Sequence, residues 1–148
     1  MNTIETKPIK TLVVDDHILF REGLVSLLND QPDFVAIGGA DSVQEAIRLN
    51  REVAPELILL DIALPDGTGL EATRAILSSH PSAQIVFITI QETDDVLLAA
   101  AGSGAKGYFC RNISTNKMLE LLRGLVRSEP AITLNLVGSR LNEFVHRR

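Results

Sequence analysis

The sequence predicts an α/β fold, a doubly wound five-stranded parallel sheet with helices on both faces. Short, near-continuous apolar runs alternate with amphipathic segments five times along the chain. Strands apolar on both sides belong to a parallel sheet buried between helix layers, and right-handed crossovers then place helices on both faces. The scale agrees: 148 residues, 45% hydrophobic and 22% charged, suit one globular core without staples and leave no room for a second full domain.

The elements follow in order. Thr11-Leu12-Val13-Val14 is a β-branched run that reads as a buried strand. Ile18 to Asn29 carries Leu19, Leu24, Leu27 and Leu28 near helical spacing. Phe34 to Ile37, opened by Pro32-Asp33, is a second strand. Ser42 caps a helix from Val43 to Val53, with Glu45 in the acid position of a capping box. Leu57 to Leu60 is the third strand, and Gly67 to Ser79 the third helix, closed by Pro81. Ile85 to Ile88 is the fourth strand. Asp94 to Ser103 is an Ala-rich fourth helix ending at Gly102 and Gly104. Gly107 to Cys110 is a short fifth strand, and Ser114 to Arg127 a fifth helix capped by Ser114.

Residues 1–9 read as a tail, residues 10–128 as the domain and residues 129–148 as a linker. In that linker Glu129-Pro130-Ala131 breaks the preceding helix. Leu134, Val137, Leu141 and Phe144, with Val145, then trace a short amphipathic helix. Such a helix is marginal alone in water, so it packs on its own domain, on a second copy or on something beyond this chain.

Composition narrows the function. The net charge of −5 shows no basic balance, and the only basic cluster is His146-Arg147-Arg148, so direct nucleic-acid binding is not expected. Met1 to Lys10 lacks the apolar segment of a signal peptide and no stretch approaches a membrane span; a cytoplasmic protein is expected. The single Cys110 fits a reducing compartment and reads as a small buried hydrophobe rather than a reactive thiol.

Ligands of an open parallel sheet sit at the carboxyl ends of its strands. The first run ends in Asp15-Asp16, the third in Asp61, the fourth in Thr89 and the fifth in Arg111; the second ends in Gly38-Gly39 and offers nothing. Singly, each is ordinary: Asp16 could cap the following helix, Thr89 is a β-former, Arg111 a surface cation. Together they place three carboxylates, a hydroxyl and a fixed cation on one edge. Clustered carboxylates cannot all stay ionised without a cation, and an oxygen-only set suits Mg²⁺. Asp61 stands alone after its strand, so one of its oxygens can attack a phosphoryl donor and form an aspartyl phosphate. Thr89 could donate its hydroxyl to that phosphate, and Arg111 could pair with a phosphate oxygen. His17 reads as an exposed neighbour of the acid pair and not as a ligand.

These residues carry a resemblance. Leu12-Val13-Val14-Asp15-Asp16-His17 resembles the opening of bacterial two-component response regulator receiver domains. Asp61-Ile62-Ala63-Leu64-Pro65-Asp66-Gly67-Thr68-Gly69 resembles the segment around their phosphoacceptor, and Gly104-Ala105-Lys106-Gly107-Tyr108-Phe109 the run before their invariant Lys. The likeness covers roughly Lys10 to Arg127. It implies a flavodoxin-like strand order 2-1-3-4-5 and a phosphoprotein switch rather than an enzyme. It also implies Asp61 as phosphoacceptor and Mg²⁺ held by Asp15, Asp16, Asp61 and the backbone carbonyl of Ala63. Thr89 and Tyr108 are then the switch pair, and a histidine kinase the donor. The surface around the fourth helix, fourth strand and fifth strand is where the two states would differ. Phe20-Arg21-Glu22-Gly23-Leu24 after the Asp-Asp-His run resembles regulators with a LuxR-type (NarL/FixJ-like) helix-turn-helix output, and Glu129-Pro130-Ala131-Ile132 their linker. The expectation is a homodimer that meets DNA only through an output domain outside this chain, the chain being part of a longer regulator. A stand-alone receiver is the alternative.

Two positions depart from the family pattern: Arg111 replaces the Lys, and Ile90 follows Thr89 where small residues often stand. Arg and Lys are not interchangeable. Three readings compete: a phosphorylation-dependent switch, a degenerate receiver acting as a phosphate-independent interaction or dimerisation module, and an Mg²⁺-dependent phosphohydrolase. The last needs a substrate pocket and usually a cap domain, for which this chain has no length. The stimulus, the kinase and the target genes are not written in the sequence.

Overall fold

The computed structural model describes residues 7–90 and 93–127. The expected tail helix after residue 128 and residues 1–6 lie outside the described residues.

The elements are β1 (Ile9–Val14), α1 (Ile18–Asn29), β2 (Phe34–Ala40), α2 (Val43–Val53) and β3 (Leu57–Asp61), then the two-residue strands β4 (Ala63–Leu64) and β5 (Gly67–Thr68). After them come α3 (Gly69–Ser79), β6 (Gln84–Thr89), α4 (Asp94–Ser103), β7 (Gly107–Cys110) and α5 (Thr115–Val126). The main sheet runs β2-β1-β3-β6-β7, all parallel. With the two short strands set aside, that is the expected order 2-1-3-4-5.

Strand side chains alternate between faces, and here the alternation sorts two cores. Leu12, Val14, Ile58, Leu60, Ile85, Phe87 and Tyr108 belong to one cluster, together with residues of α2, α3 and α4. Val13, Leu57, Leu59, Val86, Ile88 and Phe109 belong to the other, with Leu24 and Leu28 of α1 and Leu122 of α5. The central strand β3 is buried along its whole length and β1 and β6 beyond their first residues, which is why their sequences are continuous apolar runs rather than alternating ones.

Local chemistry sets the helix ends. The Ser42 hydroxyl accepts the Glu45 N–H at the start of α2, and Ser114 accepts the Lys117 N–H at the start of α5. Only half of the expected capping box is used, because the Glu45 carboxylate pairs with Arg48 at 2.6 Å. Asp16 does not cap α1. The N-cap is His17, which makes no side-chain capping bond. Gly67 does not open α3: it pairs with Leu64 in the β4–β5 hairpin, and Thr68 caps the helix one residue later. Leu19, expected on the apolar stripe, is 86% exposed. Cys110 is half-buried rather than buried.

Gly69 sits against the end of β3. Its N–H donates to the Ile62 carbonyl at 2.7 Å, and a Cβ there would lie 2.5 Å from the Asp61 carbonyl oxygen. Neither backbone can yield without moving Asp61. Gly69→Ala is expected to destabilise the domain by about 2 kcal/mol through overpacking. Gly23, exposed in the middle of α1, is the opposite case: a methyl group added there would meet nothing within 4 Å. Gly23→Ala is expected to stabilise by about 0.5 to 1 kcal/mol by helix propensity. Urea unfolding of both variants checks the pair of signs.

Candidate functional site: an acidic pocket at the carboxyl edge of the sheet

Four central and edge strands deliver the site. β1 runs into Asp15, Asp16 and His17. β3 ends on Asp61, β6 on Thr89, and β7 leads into Arg111. Backbone bonds lock these ends together. The Asp15 N–H donates to Ala40, Ile62 N–H to Ile88, and Arg111 N–H to the Thr89 carbonyl at 2.9 Å.

The parity that sorts the cores also sorts the site. Asp15, Asp61 and Arg111 continue the alternation of Val13, Leu59 and Phe109, on the α1–α5 side. Thr89 continues that of Ile85 and Phe87, on the side that holds Tyr108. The structure therefore gathers the three Asp residues, His17 and Arg111 into one contact set. Thr89 and Tyr108 are buried beside it on the other layer. Ile90 is 66% exposed just past the end of β6.

Asp15 is fully buried and Asp61 is 4% exposed, while Asp16 and His17 face solvent. Asp15 Oδ1 accepts the His17 N–H at 2.8 Å, and Asp61 Oδ1 accepts the Ala63 N–H at 3.2 Å. Arg111 Nη2 lies 2.7 Å from Asp15 Oδ2 and 2.8 Å from Asp61 Oδ2, spanning the two carboxylates. His17 is the exposed neighbour of the acid pair that the sequence suggests, its Nδ1 lying 2.9 Å from Asp15, 3.1 Å from Asp16 and 2.8 Å from Arg111 Nη2.

Sequence reasoning missed three supporting residues. The Phe20 ring lies under the Arg111 guanidinium, 4.7 Å from its centroid, as a cation–π platform. Arg21 Nη1 donates to the Asp15 carbonyl at 2.7 Å. Asp66 accepts the N–H groups of Val43 and Gln44 at 2.7 and 3.1 Å, capping α2 from the loop that follows Asp61. Those bonds hold the Asp66 carboxyl below the usual carboxylate range. The helix Val43–Val53 was visible in the sequence; its contact with Asp66, more than twenty residues on, was not.

Burial first, then the Asp15 carboxylate, push the Asp61 carboxyl above the ordinary carboxylate range, against the lowering pull of the Ala63 N–H and Arg111. Ligand atoms of Asp15, Asp16, His17 and Asp61 all lie within 4.8 Å of one another. Three carboxylates in that space are the oxygen-rich donor set of a hard divalent cation, so the residues present fit Mg²⁺. A second observation agrees. Arg111 Nη2 faces four oxygen and nitrogen atoms at 2.7–2.8 Å, while Arg111 Nε is buried with no hydrogen-bond partner. A nitrogen with two hydrogens cannot satisfy four such neighbours, whereas a coordinated cation can.

A parallel doubly wound sheet with buried acids at its carboxyl edge is the arrangement that the resemblance to receivers implies. The family profile described as response regulator receiver domain matches residues 11–123, and the chain belongs to that family. Within it the chain is similar to LuxR/NarL-type regulators. It is 38% identical over 115 residues to response regulator GacA of Pseudomonas syringae pv. syringae (strain B728a), covering 78% of this chain and 54% of that protein. It is 32% identical over 137 residues to oxygen regulatory protein NreC of Staphylococcus aureus (strain JH9), covering 92% of this chain and 63% of that protein. The chain thus spans between about half and just under two thirds of these curated relatives. A two-component response regulator of the LuxR family from Aurantimonas sp. SI85-9A1 superposes with a TM-score of 0.83 at 27% identity, covering 94% of this chain and 99% of that one. Among the described residues no helix is long and apolar enough to cross a membrane.

The raised Asp61 carboxyl has a consequence for stability in chelated, metal-free buffer. The folded state holds its proton more tightly than the unfolded state, so stability falls as pH rises from 3.8 through the folded value and stays reduced above it. Asp61→Asn removes that penalty. The variant is expected to unfold at higher denaturant than the parent at pH 7 and to lose its advantage below about pH 4. Parallel urea titrations across that range check the sign.

Proposed function

We propose that this chain is the phosphoacceptor receiver of a two-component response regulator. In this reading a histidine kinase phosphorylates Asp61, and the regulator acts on transcription through a helix-turn-helix domain outside this chain. The observation that carries the reading is the placement of Asp61 beside Asp15, Asp16 and Arg111 at the carboxyl edge. Asp15, Asp16, Asp61 and the Ala63 carbonyl would hold Mg²⁺, which offsets negative charge on phosphoryl oxygens. An Asp61 carboxylate oxygen attacks phosphorus, the bond from phosphorus to the donor's histidine nitrogen breaks, and the electron pair leaves with that nitrogen. Burial of Asp61 beside Asp15 keeps its carboxylate poorly hydrated and bulk water scarce around the acyl phosphate. Thr89 supplies a hydroxyl donor from β6, and Tyr108, packed in the same layer, follows its movement. A homodimer and a cytoplasmic location belong to the same reading.

The phosphate-independent module is the second reading, favoured by the Arg111 bridge that ties the phosphoacceptor to Asp15 and by the bulk of exposed Ile90. Incubation with Mg²⁺ and acetyl phosphate, followed by intact mass measurement, separates the two. One phosphoryl adduct on the parent and none on Asp61→Asn is expected. No adduct on a chain that binds Mg²⁺ would transfer the case to the second reading.

A further inference from the structure

The two buried carboxylates at the carboxyl edge converge on one atom. Arg111 Nη2 contacts both oxygens of Asp15, at 2.8 and 2.7 Å, and Asp61 Oδ2 at 2.8 Å. It also lies 2.8 Å from His17 Nδ1. The guanidinium reaches this place at a local cost: its Nε is buried without a partner, and a single terminal nitrogen serves both acids instead of a two-pronged clamp on one. Its side chain is only 17% exposed, and the Phe20 ring supports its flat face. A planar, weakly hydrated cation gains from that ring and from desolvation, and a compact ammonium gains less.

The centre among the carboxylates is therefore filled by a cation that the chain carries itself. We propose that Arg111 is a tethered competitor of the divalent cation, so that the acidic pocket holds either the Arg111 guanidinium or Mg²⁺ between Asp15 and Asp61, and never both. This rests on the assignment of the pocket as an Mg²⁺ site and adds how its occupancy is controlled. With Arg111 inward, the two buried carboxylates share its single positive charge when metal is absent. Metal entry requires the guanidinium to leave Asp15 and Asp61. Mg²⁺ affinity is then set by Arg111 as much as by the acids, and the receiver is competent only at Mg²⁺ levels that displace the side chain.

The test uses the 148-residue chain and MgCl₂ as the probe. Isothermal titration of the parent, Arg111→Gln and Arg111→Lys should give the tightest Mg²⁺ binding for Arg111→Gln, by about tenfold over the parent. Arg111→Lys, which keeps the charge and guards against a folding defect in the neutral variant, should fall between them. On the unaltered chain, the Arg111 side-chain ¹H–¹⁵N resonance, assigned by its loss in Arg111→Lys, should shift as Mg²⁺ saturates. The Arg48 resonance, from a surface pair with Glu45 and Glu52, should not. Equal affinities in all three proteins, or an Arg111 signal indifferent to saturating Mg²⁺, would overturn the competition and leave the metal site intact. Failure of every protein to bind Mg²⁺ would overturn both.

Discussion

The constraint on which this molecule turns is the burial of two carboxylates a few ångströms apart. Asp15 has no exposed surface and Asp61 almost none. Two like charges in a poorly solvated place are tolerated only with a cation between them or with one proton retained, and both signatures are present. Arg111 bridges the pair, and Asp61 holds its proton more firmly than an ordinary carboxyl. Nothing about the core requires this. The two apolar layers would pack equally well with neutral residues at these strand ends, since replacing a buried ion pair by apolar groups is often neutral or stabilising. The charges are a feature of the edge and not of the core, and the rest of the edge holds them in place.

That organisation is mostly backbone. Parallel pairing puts the carboxyl ends of β1, β3, β6 and β7 on one edge, and the alternation of side chains decides which of the two layers each terminal residue joins. The loop after Asp61 is fixed from both ends. Gly69 packs its Cα against the Asp61 carbonyl, and Asp66 reaches across to the first turn of α2. Arg21 fixes the other acid from behind by binding the Asp15 carbonyl. These contacts, from three neighbouring elements, fix both buried acids in place.

How much of this was legible in the sequence follows from the range of the signal. The helices α1 and α4 and the strand β7 have the limits that periodicity and turn residues predict, because those signals are local. The β4–β5 hairpin was missed: two residues per strand carry no period to read. The site residues were legible as the positions after each apolar run, and Asp15, Asp61 and Arg111 do meet. Their mutual geometry was not legible. Arg111 and Asp15 are 96 residues apart in the chain, so the sequence offered Arg111 as a phosphate contact while the structure shows it as the counter-ion of Asp15 and Asp61. Phe20 entered the sequence reading only as part of a family resemblance, and only the fold reveals the cation above it.

The division of the edge between two layers also says how a change of charge can travel. The acids and Arg111 belong to the layer covered by α1 and α5, whereas Thr89 and Tyr108 belong to the layer covered by α2, α3 and α4. No apolar contact needs to carry a signal between them, because the strands themselves cross the boundary. Arg111 N–H is bonded to the Thr89 carbonyl, Thr89 pairs with Cys110, and Phe87 pairs with Tyr108 two residues earlier in the same ladder. Arg111 follows directly on β7, and its backbone is hydrogen-bonded to the residue that bears the hydroxyl. Packed interiors resist continuous deformation and prefer discrete alternatives. An edge that binds its cation to one layer and its hydroxyl to the other, through one shared backbone bond, has the connectivity for two such alternatives.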